Sequence, residues 1–161
     1  MPTDVTLRPL ELADAPMVYK TWLGVAWDDW RGKTDGCRNC NRRFSYIGKD
    51  AFMDGMHARV TRLLSRSTCW AICPASAQAG SDYMIGFLVR DPYEPVLHFV
   101  YVIKGGGKGS AQWRGLGIAT AAMRAAFPRW PEEPITFTQD TAAMRAIKAK
   151  WKAQYNPFLV E

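Results

Sequence analysis

The feature that most constrains this chain is a change of pattern inside residues 96–127, VLHFVYVIKGGGKGSAQWRGLGIATAAMRAAF. The opening run is rich in β-branched and aromatic residues and reads as a buried strand. A glycine-rich loop follows, and then a segment of strong helix formers. A strand that feeds a helix through such a loop leaves the first helical N–H groups without intrahelical partners. The aligned peptide dipoles add roughly half a positive charge at that end. The arrangement suits an anion, above all a phosphate or pyrophosphate.

A length of 161 residues suits a single domain, 1–161, with one substantial core. Apolar residues at 48% and charged residues at 22% exclude a disordered chain. The N-terminal sequence has no basic stretch followed by an apolar core, and no apolar run approaches the roughly 20 residues of a spanning helix. The expectation is a cytoplasmic protein with no membrane partner. The net charge of +6 favours acidic partners such as nucleic acid, a phosphorylated coenzyme or an acidic surface, although many small proteins carry such a charge and bind nothing acidic.

The four cysteines form C-x2-C (Cys37, Cys40) and C-x3-C (Cys69, Cys73). The first pair lies in a polar loop where a zinc knuckle could form. The second lies in TCWAIC, a strand pattern that holds the two sulfurs' residues about 13 Å apart, too far to ligate one ion together. Small buried or free thiols are the expected reading, and no metal is assigned.

Taken in order, residues 6–10 read as a short strand. Asp14 can cap a helix that carries Val18, Tyr19, Trp22 and Leu23 at helical spacing. Residues 28–49 break that pattern with Gly32, Gly36, Gly48 and six basic side chains, and read as a long basic loop. A second helix over 50–66 places Phe52, Met56, Val60 and Leu63 on one face, with His57 beside it as a packing residue. Strands are predicted over 68–75, 83–90 and 96–103, a helix over 115–127, a strand over 135–139, a helix from Asp140 or Thr141 to about 152, and a last strand over 156–160. The fold class is therefore α/β or α+β, a mixed and mostly antiparallel sheet of about six strands with four helices packed on both faces.

Gln112-Trp113-Arg114-Gly115-Leu116-Gly117 matches the Q/R-x-x-G-x-G/A signature of the GCN5-related N-acetyltransferases, and it stands between the fourth strand and the third helix. The element order over nearly the whole chain resembles that superfamily. The resemblance implies an acyl-CoA-dependent N-acyltransferase, with acetyl-CoA or another acyl-CoA as coenzyme. Its diphosphate would lie on the amides from Trp113 to Ile118, and its pantetheine arm beside Tyr101, Val102 and Ile103. The glycines at 115 and 117 permit the close backbone approach that such a cradle needs. The chain departs from the family pattern in the insertion at 104–111, which holds GGGKG and lengthens the path from Val102 to Gln112. This is not a P-loop, since no Ser or Thr follows the GK at the required place. The strings LHFVYV, YNPFL and KTWLG also resemble small acetyltransferase-like proteins of tailed phages and prophages.

His98 stands where many members of that superfamily carry a general-base glutamate. Imidazole can accept an amine proton through a water, and a histidine in an apolar strand can equally be a core residue held by a hydrogen bond. Simple alternation groups His98 with Val100 and Val102 and turns Tyr101 away. The helix over 140–151 lacks the tyrosine that the superfamily uses as general acid, and Tyr155 is the nearest replacement. The acceptor is a small-molecule or macromolecular amine, and the chain a monomer or homodimer. Two alternatives stand beside this reading. One is an enzyme acting on DNA or nucleobases through the basic, aromatic loop; the other is a non-catalytic acyl-CoA-binding module.

Overall fold

The computed structural model describes residues 4–36, 48–75, 84–103, 117–130, 132–151 and 153–160. Among them the elements are β1 (Val5–Pro9), α1 (Ala15–Gly36), α2 (Lys49–Arg66), β2 (Thr68–Pro74), β3 (Gly86–Arg90), β4 (Val96–Val102), α3 (Ile118–Ala126), β5 (Thr136–Phe137), α4 (Ala142–Trp151) and β6 (Gln154–Tyr155). Short 3-10 helices cover Leu12–Asp14 and Pro157–Val160. This is the α+β order that the apolar periodicities predict. No described helix is long and apolar enough to cross a membrane.

The differences from expectation lie at element ends. Helix α1 continues through Gly36, nine residues into the stretch read as a loop. An internal glycine costs a helix only about 1 kcal/mol, which continuing turns can absorb. Residues 37–47, with Cys37 and Cys40, lie outside the described residues. The last strand falls at Gln154–Tyr155 rather than 156–160, and Pro157, which has no N–H for a ladder, starts a 3-10 turn instead.

The six strands form one sheet in the order β1-β2-β3-β4-β5-β6. Neighbours from β1 to β4 are antiparallel, whereas β4–β5 and β5–β6 are parallel. A parallel pair needs a crossover connection, and α3 and α4 occupy the two crossovers. The sheet is thus mixed and mostly antiparallel, as expected, with its parallel part at the C-terminal side.

The chain packs as two compact units, residues 1–10 with 66–161, and residues 11–65. In the first unit one face of the sheet supplies Ile72, Leu88, Leu97, Val100 and Phe137 to a core closed by Ile118, Ala122 and Met123 of α3 and Met144 of α4. Each such side chain contributes roughly 1.5–3 kcal/mol by leaving water. Helix α4 is capped by Thr141, whose Oγ1 accepts the Met144 N–H at 3.2 Å, as its sequence predicts. In the second unit α1 and α2 are joined by side chains. Tyr19 stacks on His57 at 4.6 Å and exchanges a 2.7 Å hydrogen bond with Thr61. Trp27 meets Phe52 edge-on, and Lys49 lies over the Trp27 ring.

Candidate functional site

The centre of the candidate site is an irregularity in β4. Val89 pairs with Phe99, but Arg90 pairs with Leu97, so His98 is the extra residue of a β-bulge. A bulge shifts the alternation of side chains. Leu97 and Val100, three positions apart, therefore both reach the core, and Val102 packs against it. Phe99 and Tyr101 lie on the other face, where both rings meet Phe87.

His98 belongs with that second face. Its Nδ1 is 3.0 Å from Thr138 Oγ1, and Thr138 follows the core residue Phe137, so alternation turns it away from the core. The expected grouping of His98 with Val100 and Val102 is thus corrected: His98 shares its face with Phe99 and Tyr101. Both members of the hydrogen bond are enclosed, His98 at 3% exposure and Thr138 at 1%. A buried imidazole held at one nitrogen is oriented, and only its other nitrogen can turn to a different task.

Asp91 adds a charge to this neighbourhood. Burial pushes its carboxyl up, but hydrogen bonds from the Glu94 and Tyr93 N–H groups (each 2.8 Å) outweigh that, and the charges of His98 and Arg90 act in the same direction. The net result is a carboxyl below its usual range. Neither Asp91 nor Thr138 stands out in the sequence. Asp91 reads as the start of a turn and Thr138 as one of several strand residues, and only the pairing of β3, β4 and β5 brings them near His98.

The second half of β4 has an unusual setting. β5 runs beside β4 in register only at Val96 and Leu97, with one further bond from Thr138 N to Leu97 O. From Phe99 onward, among the described residues, a strand flanks β4 on the β3 side alone. Pairing between β4 and β5 therefore ends at Leu97, just before the bulge. At the far end of the same half, Ile103 N bonds to Ile85 O, and Gly86 is approached so closely that a Cβ there would stand 2.2 Å from Tyr101 O. Only glycine allows that approach.

Across the connection from this strand, Gly117 begins α3 in the left-handed region at φ 74°. As a glycine it makes no side-chain capping hydrogen bond. Ile118 is 2% exposed and sends its side chain into the core, so only its backbone can meet a ligand. Gln112, Trp113, Arg114, Gly115 and Leu116, the rest of the signature, lie outside the described residues, as does the insertion at 104–111.

Tyr155 stands in β6, in register with Phe137, and their rings are 5.4 Å apart. Residues in register on parallel strands share a face, so Tyr155 is on the core side of the sheet and His98 on the other. The structure brings Tyr101, not Tyr155, onto the face of His98. Cys69 is enclosed enough that burial pushes its thiol up to about 11, and Cys73 is buried. Both have the character of packing residues. A separate cleft of about 380 Å³ opens at the C-terminal end of α3, between Arg90, Tyr93, Phe127, Arg129, Trp130 and Glu133. None of the site residues expected from the sequence lines it. Set against protein-family models, curated proteins and solved structures, the chain matches none.

Proposed function

We propose that the chain is an acyl-CoA-dependent N-acyltransferase, with acetyl-CoA the first coenzyme to test. The observation that carries this reading is the end of β4–β5 pairing at Leu97, just before His98, with an α-helix N-terminus following β4 in the chain. An extended pantetheine arm can lie beside the second half of β4 by backbone hydrogen bonding, in the manner of an added strand. The diphosphate would meet the amides that start α3, where the dipole and Gly117 favour an anion.

In this reaction the acceptor's nitrogen attacks the thioester carbonyl carbon. The N–C bond forms and the C–S bond breaks. The amine proton passes to His98, directly or through a water, and the thiolate leaves with a proton. Tyr101 is the phenol that shares a face with His98 and is the acid to test for that last step, before Tyr155. Isothermal titration of the full chain with acetyl-CoA and with free CoA tests the binding half. Micromolar binding of both is expected, and no heat at millimolar coenzyme overturns the proposal.

A non-catalytic acyl-CoA-binding module is the second reading, favoured by the 3% exposure of His98. Coenzyme binding without thiol release across a panel of amines would select it. The reading as a nucleic-acid-modifying enzyme rests on the loop at 28–49, most of which lies outside the described residues.

A further inference from the structure

The proposed reaction asks His98 to take up a proton while almost fully enclosed. An imidazolium carries N–H groups on both nitrogens, and a buried one without an acceptor is strongly disfavoured. His98 Nδ1 lies 3.0 Å from Thr138 Oγ1, 40 positions away in sequence. We propose that Thr138 is a positioning residue for His98: its hydroxyl oxygen accepts the Nδ1–H, holds the ring in one tautomer, and directs proton exchange to Nε2. This deepens the acyltransferase reading by giving its proton acceptor a defined orientation.

Three features of the fold support it. Thr138 is itself anchored, its N–H bonding to Leu97 O at 3.1 Å, so the hydroxyl is delivered from a fixed backbone. The bulge at His98 turns the ring toward β5. The third is the set of groups around the ring. On its own face stand Phe87, Phe99 and the phenol Tyr101. β5 and the residue after it contribute Thr136, Phe137 and Thr138. From the turn after β3 the Asp91 carboxylate interacts with His98, while Arg90 reaches the α3 side to bond Ala126 O.

The test is ¹⁵N NMR titration of the uniformly labelled full chain. The sequence has two histidines, so a His57→Gln background leaves His98 as the one imidazole signal. Neutral His98 is expected to hold its proton on Nδ1. Thr138→Val, which keeps the shape and removes the oxygen, is expected to lower proton affinity about tenfold and move the midpoint to lower pH. Thr138→Ser is expected to restore it. A neutral ring protonated on Nε2 in the parent protein overturns the proposal without recourse to any Thr138 variant. An unmoved midpoint in Thr138→Val, or an equal shift in Thr138→Ser, overturns it as well. Because the titration needs no coenzyme, absence of acetyl-CoA binding would sink the acyltransferase reading and leave this result standing.

Discussion

The two ends of α3 are finished in opposite ways. At the C-terminus, Arg90 donates to Ala126 O, to Asp91 O at 2.8 Å and to Glu94 O at 3.2 Å, and its guanidinium lies 4.4 Å over the Phe127 ring. A cation there satisfies an orphan carbonyl and opposes the negative end of the dipole. The Phe127 N–H closes the last turn on Met123 O, and Pro128 prevents continuation. At the N-terminus a glycine with positive φ stands at the N-cap and, having no side chain, makes no side-chain capping hydrogen bond. One end is completed by the protein's own side chains. The other relies on backbone shape, the condition under which an incoming anion gains most from the same dipole. Under the proposed acyltransferase reading, the difference separates an end finished by side chains from one that receives the coenzyme.

The largest effect expected is at Gly86 of β3, which pairs with the strand that leads into the N-terminus of α3. Gly86→Ala would push a methyl group into Tyr101 O, which is backbone and cannot swing aside. A loss of about 3 kcal/mol is expected by chemical denaturation. A loss near the ordinary Gly-to-Ala range would mean that the β3–β4 approach relaxes freely.

Arg90→Met comes next. It removes the C-terminal bonds and keeps most of the apolar stem, so a loss of about 2 kcal/mol in stability is expected, with coenzyme affinity held within twofold. A large loss of coenzyme affinity at preserved fold would erase the contrast between the two ends. Gly117→Ala is the mirror experiment. Chain neighbours aside, none of the described residues lies within 4 Å of the added methyl, so the cost is conformational, about 1 kcal/mol, from forcing an L-residue to positive φ. Here coenzyme affinity should fall more than stability does, with Gly117→Asn milder than Gly117→Ala because Asn tolerates that region.

The smallest effect concerns Asp91. Its folded carboxyl is held below the unfolded value of 3.8, so its contribution to stability is present above that pH and is lost as pH falls through the folded value. Asp91→Asn is expected to lower the melting temperature by a degree or two near neutrality. The gap to the parent should close as the pH is taken well below 3.8. A gap that stays constant through that range would assign the loss to turn geometry alone.

How much of the candidate site was legible varied residue by residue. His98 and Tyr101 are legible as candidates from their position along an apolar strand. Their relation is not, because alternation fails at a bulge that nothing in VLHFVYV announces. Thr138 and Asp91 were out of reach, since a hydroxyl on one strand and a carboxylate in one turn acquire meaning only from what the sheet sets beside them. Tyr155 was placed by its distance along the chain, and the register of β6 with β5 put it on the face away from His98.

The amino-acid sequence by itself determined the number, order and type of the elements. Apolar spacing near 3.6 or 2, together with Pro, Gly and capping residues, acts over a few neighbouring positions and is written locally. Tertiary structure alone decided which way β5 and β6 run, where β4 slips by one residue against β3, and how closely Tyr101 O approaches Gly86. Those outcomes depend on hydrogen bonds and packing between segments tens of residues apart. A one-residue slip costs little in the strand's own sequence, yet it changes the face to which every later side chain belongs.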